Sequence, residues 1–506
     1  MRLNKTVGLL AGTTALTLGG FCYGNTDEAN TSALAQIAEL KAELAAMKAQ
    51  QGEEWLTEQR AADIRGIVQD VLADAETRTS LQSSGATAGY DNGFFISSAD
   101  GNFRLNLNGL VQFQWILNSA KDQNTQWGFN VRRARMDFSG VLAQDWNFKF
   151  QMQYGSAYNV AAAGVRPIEV TDPVTNTSQV IGAESGGGIN VLDAYLEREV
   201  DLGGTMFTVR GGQFKAPFLR EWLVDDQNQL AVDRSLLNYF FYQGYSVGLQ
   251  GEYASDSFRA TIAYTNGVGT PVGYNVGSYG TSWLSSPTQY SFAGRADFKL
   301  SGSWDQFDDF NSRPGTEAGV MVGIGALYQK YNNNADDYVR QLNDQTFGFI
   351  TSANSKVFGL TADLTWDFGG ASLFASFVWQ NVDTSDVTLP TINPWGFTVQ
   401  GGYFLTDDFE LFGRYSYADL DVPDSINGFP VPSTGLDGFD SLNVVTFGVN
   451  YFLSSNVKLT ADLSWSLDTL GIFQSSGAGF REDVDDSSGN ANDNQVAIRT
   501  QLQLTF

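Results

Sequence analysis

The chain has 506 residues, a formal net charge of -26, one Cys and no His. Nucleic acid is a poor partner for so acidic a chain, because phosphates would be repelled. Without His the usual Ser–His, general-base and metal chemistries are missing, and Cys22 alone cannot make an intrachain disulfide. Past the N-terminus no apolar run reaches the ~18 residues of a spanning helix, which leaves alternating strands as the only membrane-crossing element.

Arg2 and Lys5 precede an apolar run from Val7 to Leu18 that ends in small and aromatic residues. This is the layout of a secretory signal peptide, placed over 1–24. Phe21 stands before Cys22 where lipidation would want a small residue, so a lipid anchor is the weaker reading. Over 30–82 the composition turns to Ala, Glu, Gln and Lys. Ile37, Leu40, Leu44 and Met47 follow a/d spacing, and Ile64, Val68, Val71 and Ala75 resume it. The pattern predicts an α-helical coiled-coil segment, either a periplasmic trimeric stalk touching the cell wall or a helical linker. A Ser/Gly/Ala stretch over 83–93 marks the domain boundary.

From Phe94 to Phe506 the sequence alternates apolar and polar residues at period two. Ala134, Met136, Phe138, Gly140 and Leu142 share one face against Arg133, Arg135, Asp137 and Ser139 on the other. Sixteen such stretches can be marked between Phe103 and the C-terminus. Their connections alternate between tight turns, such as Ala143-Gln144-Asp145 and Thr406-Asp407-Asp408, and long polar segments. The exception is 301–316, a stretch with Trp304, Phe307 and Phe310 that is expected to pack under the barrel wall. The last strand places Val496, Ile498, Leu502, Leu504 and Phe506 on one face. Segregated connection lengths with an aromatic terminus predict an all-β fold, a sixteen-stranded antiparallel transmembrane β-barrel in an outer membrane, with short periplasmic turns and long outer loops. Sixteen strands leave room for a water-filled lumen.

Four stretches resemble the phosphate-selective porin O and P family. They are 131–140 (VRRARMDFSG), 145–150 (DWNFKF), 193–197 (DAYLE) and 211–218 (GGQFKAPF). The resemblance implies a homotrimeric porin whose third outer loop folds into the lumen. Here that loop follows Lys215-Ala216-Pro217 and includes Arg220, Glu221, Arg234 and the aromatic run Tyr239-Phe240-Phe241-Tyr242. The terminal aromatic, Phe506, resembles the signal read by the barrel-assembly machinery.

Inward-facing cations are the candidate solute pathway: Arg133, Arg135, Lys149, Arg210 and Lys215, with Arg295 and the loop residue Arg220. The first five look basic with few acids beside them, and such a wall concentrates anions over about a Debye length, ~8 Å in physiological salt. Acidic outer loops, with Asp336, Asp337, Asp483, Asp485 and Asp486, offer oxygen ligands for divalent cations, or simply a solvated surface beside lipopolysaccharide. No nucleophile elbow or paired-carboxylate motif stands out, so no enzyme, cofactor or metal centre is expected. The expected function is passive diffusion of small hydrophilic solutes, with a preference for anions such as phosphate. The rival is an envelope tether joining the outer membrane to the cell wall.

Overall fold

The computed structural model describes residues 38–43, 86–91, 93–120, 124–143, 145–154, 166–171, 178–184, 189–267, 288–331, 356–383, 391–421, 425–426, 429–430, 441–468, 480 and 494–506. Two compact units, Met1–Ser84 and Gly85–Phe506, make up the chain. In the first, residues 38–43 are helical and exposed; the expected signal peptide and the rest of the coiled-coil seam lie outside the described residues.

The second unit begins with a hairpin, β1 (Thr87–Tyr90) and β2 (Phe94–Ser97). The first of these strands falls in the stretch expected to be linker. The barrel then runs through β3 (Arg104–Ser119), β4 (Gln126–Leu142) and β5 (Trp146–Tyr154). After a two-stranded excursion, β6 (Arg166–Thr171) and β7 (Ser178–Glu184), it continues with β8 (Ile189–Asp201), β9 (Met206–Lys215), β10 (Tyr245–Ala254), β11 (Phe258–Thr265) and β12 (Thr288–Ser301). Next come β13 (Gly319–Tyr331), β14 (Lys356–Asp367), β15 (Ala371–Asp383), β16 (Trp395–Phe404) and β17 (Phe409–Asp419). A small pair, β18 (Ser425–Ile426) and β19 (Phe429–Pro430), precedes β20 (Ser441–Ser454), β21 (Val457–Ser466) and β22 (Val496–Thr505).

Each barrel strand pairs antiparallel with its neighbours, and β22 returns to β3 with Leu502 opposite Phe113. Of the 18 strands in the sheet, β1 and β2 are an appended hairpin and the other sixteen close the ring. Closure leaves no unpaired edge, which a hydrocarbon environment demands. The two-residue period sends large apolar side chains outward, among them Phe113, Phe129, Leu249, Ile262 and Leu502. Polar residues such as Gln112, Gln114, Gln400 and Gln501 point inward and are buried.

β22 covers β3 only from Leu110 to Ser119, and β2 pairs with Arg104–Leu107 on the edge left over. Between them lies Gly109, which exchanges backbone hydrogen bonds of 2.8 and 3.1 Å with Phe506. A Cβ at Gly109 would sit 2.1 Å from the Phe506 ring, so only glycine lets the terminal aromatic lie across the seam. Phe94 meets that ring edge-on at 6.5 Å.

The interior is far from empty. The connection 216–244 between β9 and β10, the inner loop, turns into the lumen and is buried almost throughout. Its Phe218, Trp222, Leu236, Leu237 and Phe241 form an apolar core with wall residues such as Leu327, Val378 and Leu442. Glycines at inward wall positions make the space: a Cβ at Gly396 would lie 2.3 Å from Leu237, and one at Gly402 would lie 3.0 Å from Leu230. The connection 302–318, the turn-side segment, also enters the lumen rather than packing under the wall. Phe310 is 1 % exposed and packs with Phe374 and with Val224 and Leu230 of the inner loop. Burial of its aromatic side chains is available there and not at the rim, where water would surround them.

Candidate functional site

The inner loop is fixed by charge. Its Asp226 carboxylate receives Arg133 at 2.9 Å and closer contacts from Arg135 and from the loop's own Arg234. Asp233 receives Arg132 at 3.2 Å, Arg133 at 3.0 Å and Arg499 at 3.9 Å. Burial alone would push the Asp226 carboxyl up, but the three guanidiniums hold it well below the ordinary carboxylate value. The same contest lowers Asp233. Buried charges of this kind persist only when paired and hydrogen-bonded. Glu221 holds the residue that caps the loop's short helix Leu236–Phe241: Ser235 donates its backbone NH and its hydroxyl to that carboxylate at 2.6 and 2.5 Å.

Arg132 is the surprise of this cluster, since alternation places it on the outer face. A register shift between Gln112 and Phe113 sets Gln112 opposite Arg133 and Phe113 opposite Val131. Arg132 is thus the extra residue of a β-bulge, and both arginines turn inward.

Between the inner loop and the wall from β5 to β12 lies a cavity of about 260 Å³. Its cations are Lys149, Arg210, Lys215, Arg220, Arg259 and Arg295, and its carboxylates are Asp193, Asp225, Glu252, Asp297 and Asp308. Tyr195 lines it as well, with the Arg210 guanidinium 4.1 Å from its ring centre. Five of the seven expected pathway residues meet here, and the other two, Arg133 and Arg135, anchor the inner loop.

The expectation of a basic wall with few acids beside it does not hold. Lys149 lies 3.4 Å from Asp137 and 3.5 Å from Asp193, and Arg210 lies 2.7 Å from Glu197. Lys215 meets Asp225 at 2.6 Å, and Arg295 meets Asp297 and Asp363, each at 2.7 Å. Asp137, Asp193, Glu197, Asp297 and Asp363 are wall acids that alternation already places on the same face as the cations, whereas the loop acids Asp225, Asp226 and Asp233 arrive from outside that pattern.

Arg220 differs from the rest. Among the described residues it has no carboxylate within 4 Å, its guanidinium donates to the Phe307 carbonyl, and its Nε has no acceptor. It is 4 % exposed, and burial together with the nearby Arg295 guanidinium pulls it down to about 10, so it remains charged at neutral pH. The groups here are ion pairs and hydrogen-bond donors around water-accessible space. Such a lining can attract, orient and pass a charged solute.

The profile of the phosphate-selective porin O and P family matches residues 103–470. The chain belongs to that family. This porin is therefore an outer-membrane β-barrel channel protein. Among solved structures it is similar to the DcaP outer membrane channel of Acinetobacter baumannii, at 11 % identity and a TM-score of 0.47, covering 83 % of this chain and 100 % of that one. It is also similar to the anion-selective porin from Comamonas acidovorans, at 12 % identity and a TM-score of 0.44, covering 79 % of this chain and 99 % of that one. OmpT of Vibrio cholerae, as a loop L8 deletion mutant, gives 12 % identity and a TM-score of 0.44, covering 80 % of this porin and all 100 % of the other chain. No curated protein matches this porin in sequence.

Proposed function

We propose that this porin passes small hydrophilic solutes by passive diffusion along the β5–β12 side of its lumen, with a preference for anions such as phosphate. The observation that carries the preference is Arg220, a buried cation at the cavity with no carboxylate within 4 Å among the described residues. A cation in a confined aqueous lane draws anions and repels cations, while the paired residues around it contribute little net field. No chemical step and no energy coupling are involved.

The proposal extends to the assembly. The porin is a homotrimer in contact with outer-membrane lipid and lipopolysaccharide, using the apolar outer face of β3–β5, where Phe113 and Phe129 stack at 5.5 Å. The terminal Phe506 is the insertion signal for the barrel-assembly machinery, and the segment 30–82 is periplasmic, with the cell wall as its partner.

The test is the zero-current potential of the purified protein in a planar bilayer across a KCl gradient, for wild type and Arg220→Gln, followed by phosphate block. Anion preference in the wild type that falls in Arg220→Gln supports the proposal. Equal selectivity in both proteins refutes Arg220 as its source. A protein that carries no current refutes the channel and leaves the envelope tether.

A further inference from the structure

We infer that the turn-side segment 302–318 is the second half of the constriction, so that the lane is shaped from both ends of the barrel and its charge is set where the two inserts meet. The inference rests on the channel reading above. The observation behind it is a joint between two inserts from opposite ends of the barrel, made largely through backbone groups.

The segment has no reason in its length alone to enter the lumen, because the other described connections at this end are tight turns such as 255–257 and 368–370. Once inside, it is held at several points. Phe310 donates its backbone NH to the Asn228 carbonyl at 3.1 Å, and Asn228 Nδ2 donates back to the Asp308 carbonyl at 3.0 Å. Arg220 of the inner loop donates to the Phe307 carbonyl. Asn450 on the wall donates to Asn311 at 3.3 Å and to the Leu230 carbonyl of the inner loop at 2.9 Å, tying both inserts to β20. Phe307 is fully buried and Phe310 nearly so. A linker of no consequence would leave these groups to water at the rim.

The joint has an electrostatic face. Asp308 lines the cavity beside Arg220, Arg259 and Arg295. Trp304 stands near it with Arg259 at 4.7 Å and Lys299 at 5.1 Å from its ring, and its indole NH donates to the Ser255 carbonyl at 2.9 Å. The segment thus brings one carboxylate into the lane near the cation that lacks one, and an aromatic ring that holds two further cations against the wall. Asp308 opposes the pull of Arg220 on anions, which makes it a specificity-determining residue. Trp304 is a positioning residue acting through Arg259 and Lys299.

The experiment uses the full chain in planar bilayers, with three proteins compared to wild type. In the first, 303–316 is replaced by Gly-Gly; single-channel conductance should rise at least about twofold, since removing an obstruction widens the open cross-section. In the second, Asp308→Asn, the zero-current potential should move toward greater anion preference. In the third, Asp308→Cys on a Cys22→Ser background, a negatively charged thiol reagent should lower the current to anions more than a positively charged one of similar size. Wild-type conductance from a shortened protein that still migrates as a folded barrel, or full labelling of Asp308→Cys without change in current, overturns the inference while leaving the channel intact. Absence of current in the wild type overturns the channel reading itself.

Discussion

Asp226→Asn is the substitution that tests most directly whether one carboxylate both anchors the inner loop and offsets the lumenal arginines. The change keeps the shape of the side chain and removes the one charge shared by Arg133, Arg135 and Arg234. A unit pair about 4 Å apart is worth about 4 kcal/mol at an effective dielectric of 20, and taking one partner from a buried pair costs about 3–5 kcal/mol. Three guanidiniums lose their common partner here, although Arg133 keeps Asp233 at 3.0 Å, so the upper part of that range applies. The cost falls on the inner loop, because the ring of paired strands does not pass through Asp226. The barrel should therefore still assemble and resist detergent, while the loop loosens and uncompensated positive charge faces the lumen. Planar-bilayer recordings should show higher conductance and a zero-current potential moved toward anions, with the movement shrinking near 1 M salt, where the Debye length falls to ~3 Å. A variant with wild-type conductance and potential would refute the reasoning, since it would mean that the carboxylate neither holds the loop nor offsets the arginines.

Two further predictions follow from the same geometry. Surrounding protein pushes the carboxyls of Asp308 and Asp309 above their ordinary value of 3.8, Asp308 against the opposing pull of Arg220 and Arg259. The folded state therefore binds protons that the unfolded state has already released, so stability rises as pH falls through the raised range, and the lane loses negative charge there. Zero-current potentials titrated downward from neutral pH should move toward anions in the wild type and be flatter in Asp308→Asn, and identical titrations would contradict this. Gly109→Val should displace the Phe506 ring from the seam, lowering the yield of assembled barrel in refolding assays and leaving the conductance of the molecules that do assemble unchanged; wild-type yield would count against the seam contact.

The ring of strands is legible in the sequence because two independent signals coincide. Period-two alternation marks each strand, and tight and long connections alternate along the chain, so a misread strand would break the second pattern as well as the first. The contents of the lumen escape both signals. Asp225, Asp226 and Asp233 sit in a connection with no periodicity, and in sequence they look like any solvated loop acid. Arg132 is hidden by a bulge, which changes facing by one residue without changing composition. One clue was present: glycines at inward positions of β16, such as Gly396 and Gly402, are poor strand formers whose place is explained once Leu237 and Leu230 press on them.

On the proposed reading, selectivity in this porin depends on what is left after pairing, and not on how many cations face inward. Around the cavity Lys149, Arg210, Lys215, Arg259 and Arg295 each have a carboxylate within 4 Å, so an entering anion must compete with a partner already in place. Arg220 imposes no such competition, and Asp308 lies on the insert that meets it. The balance between those two residues is set by a joint between two lumenal segments, held by hydrogen bonds and buried aromatics and tied to the wall through Asn450 of β20 and Phe374 of β15. Small changes in that joint alter the net field, whereas changes among the paired wall residues first cost stability. The proposed preference should consequently be mild, sensitive to salt, and controlled by residues that alternation along the barrel strands does not mark.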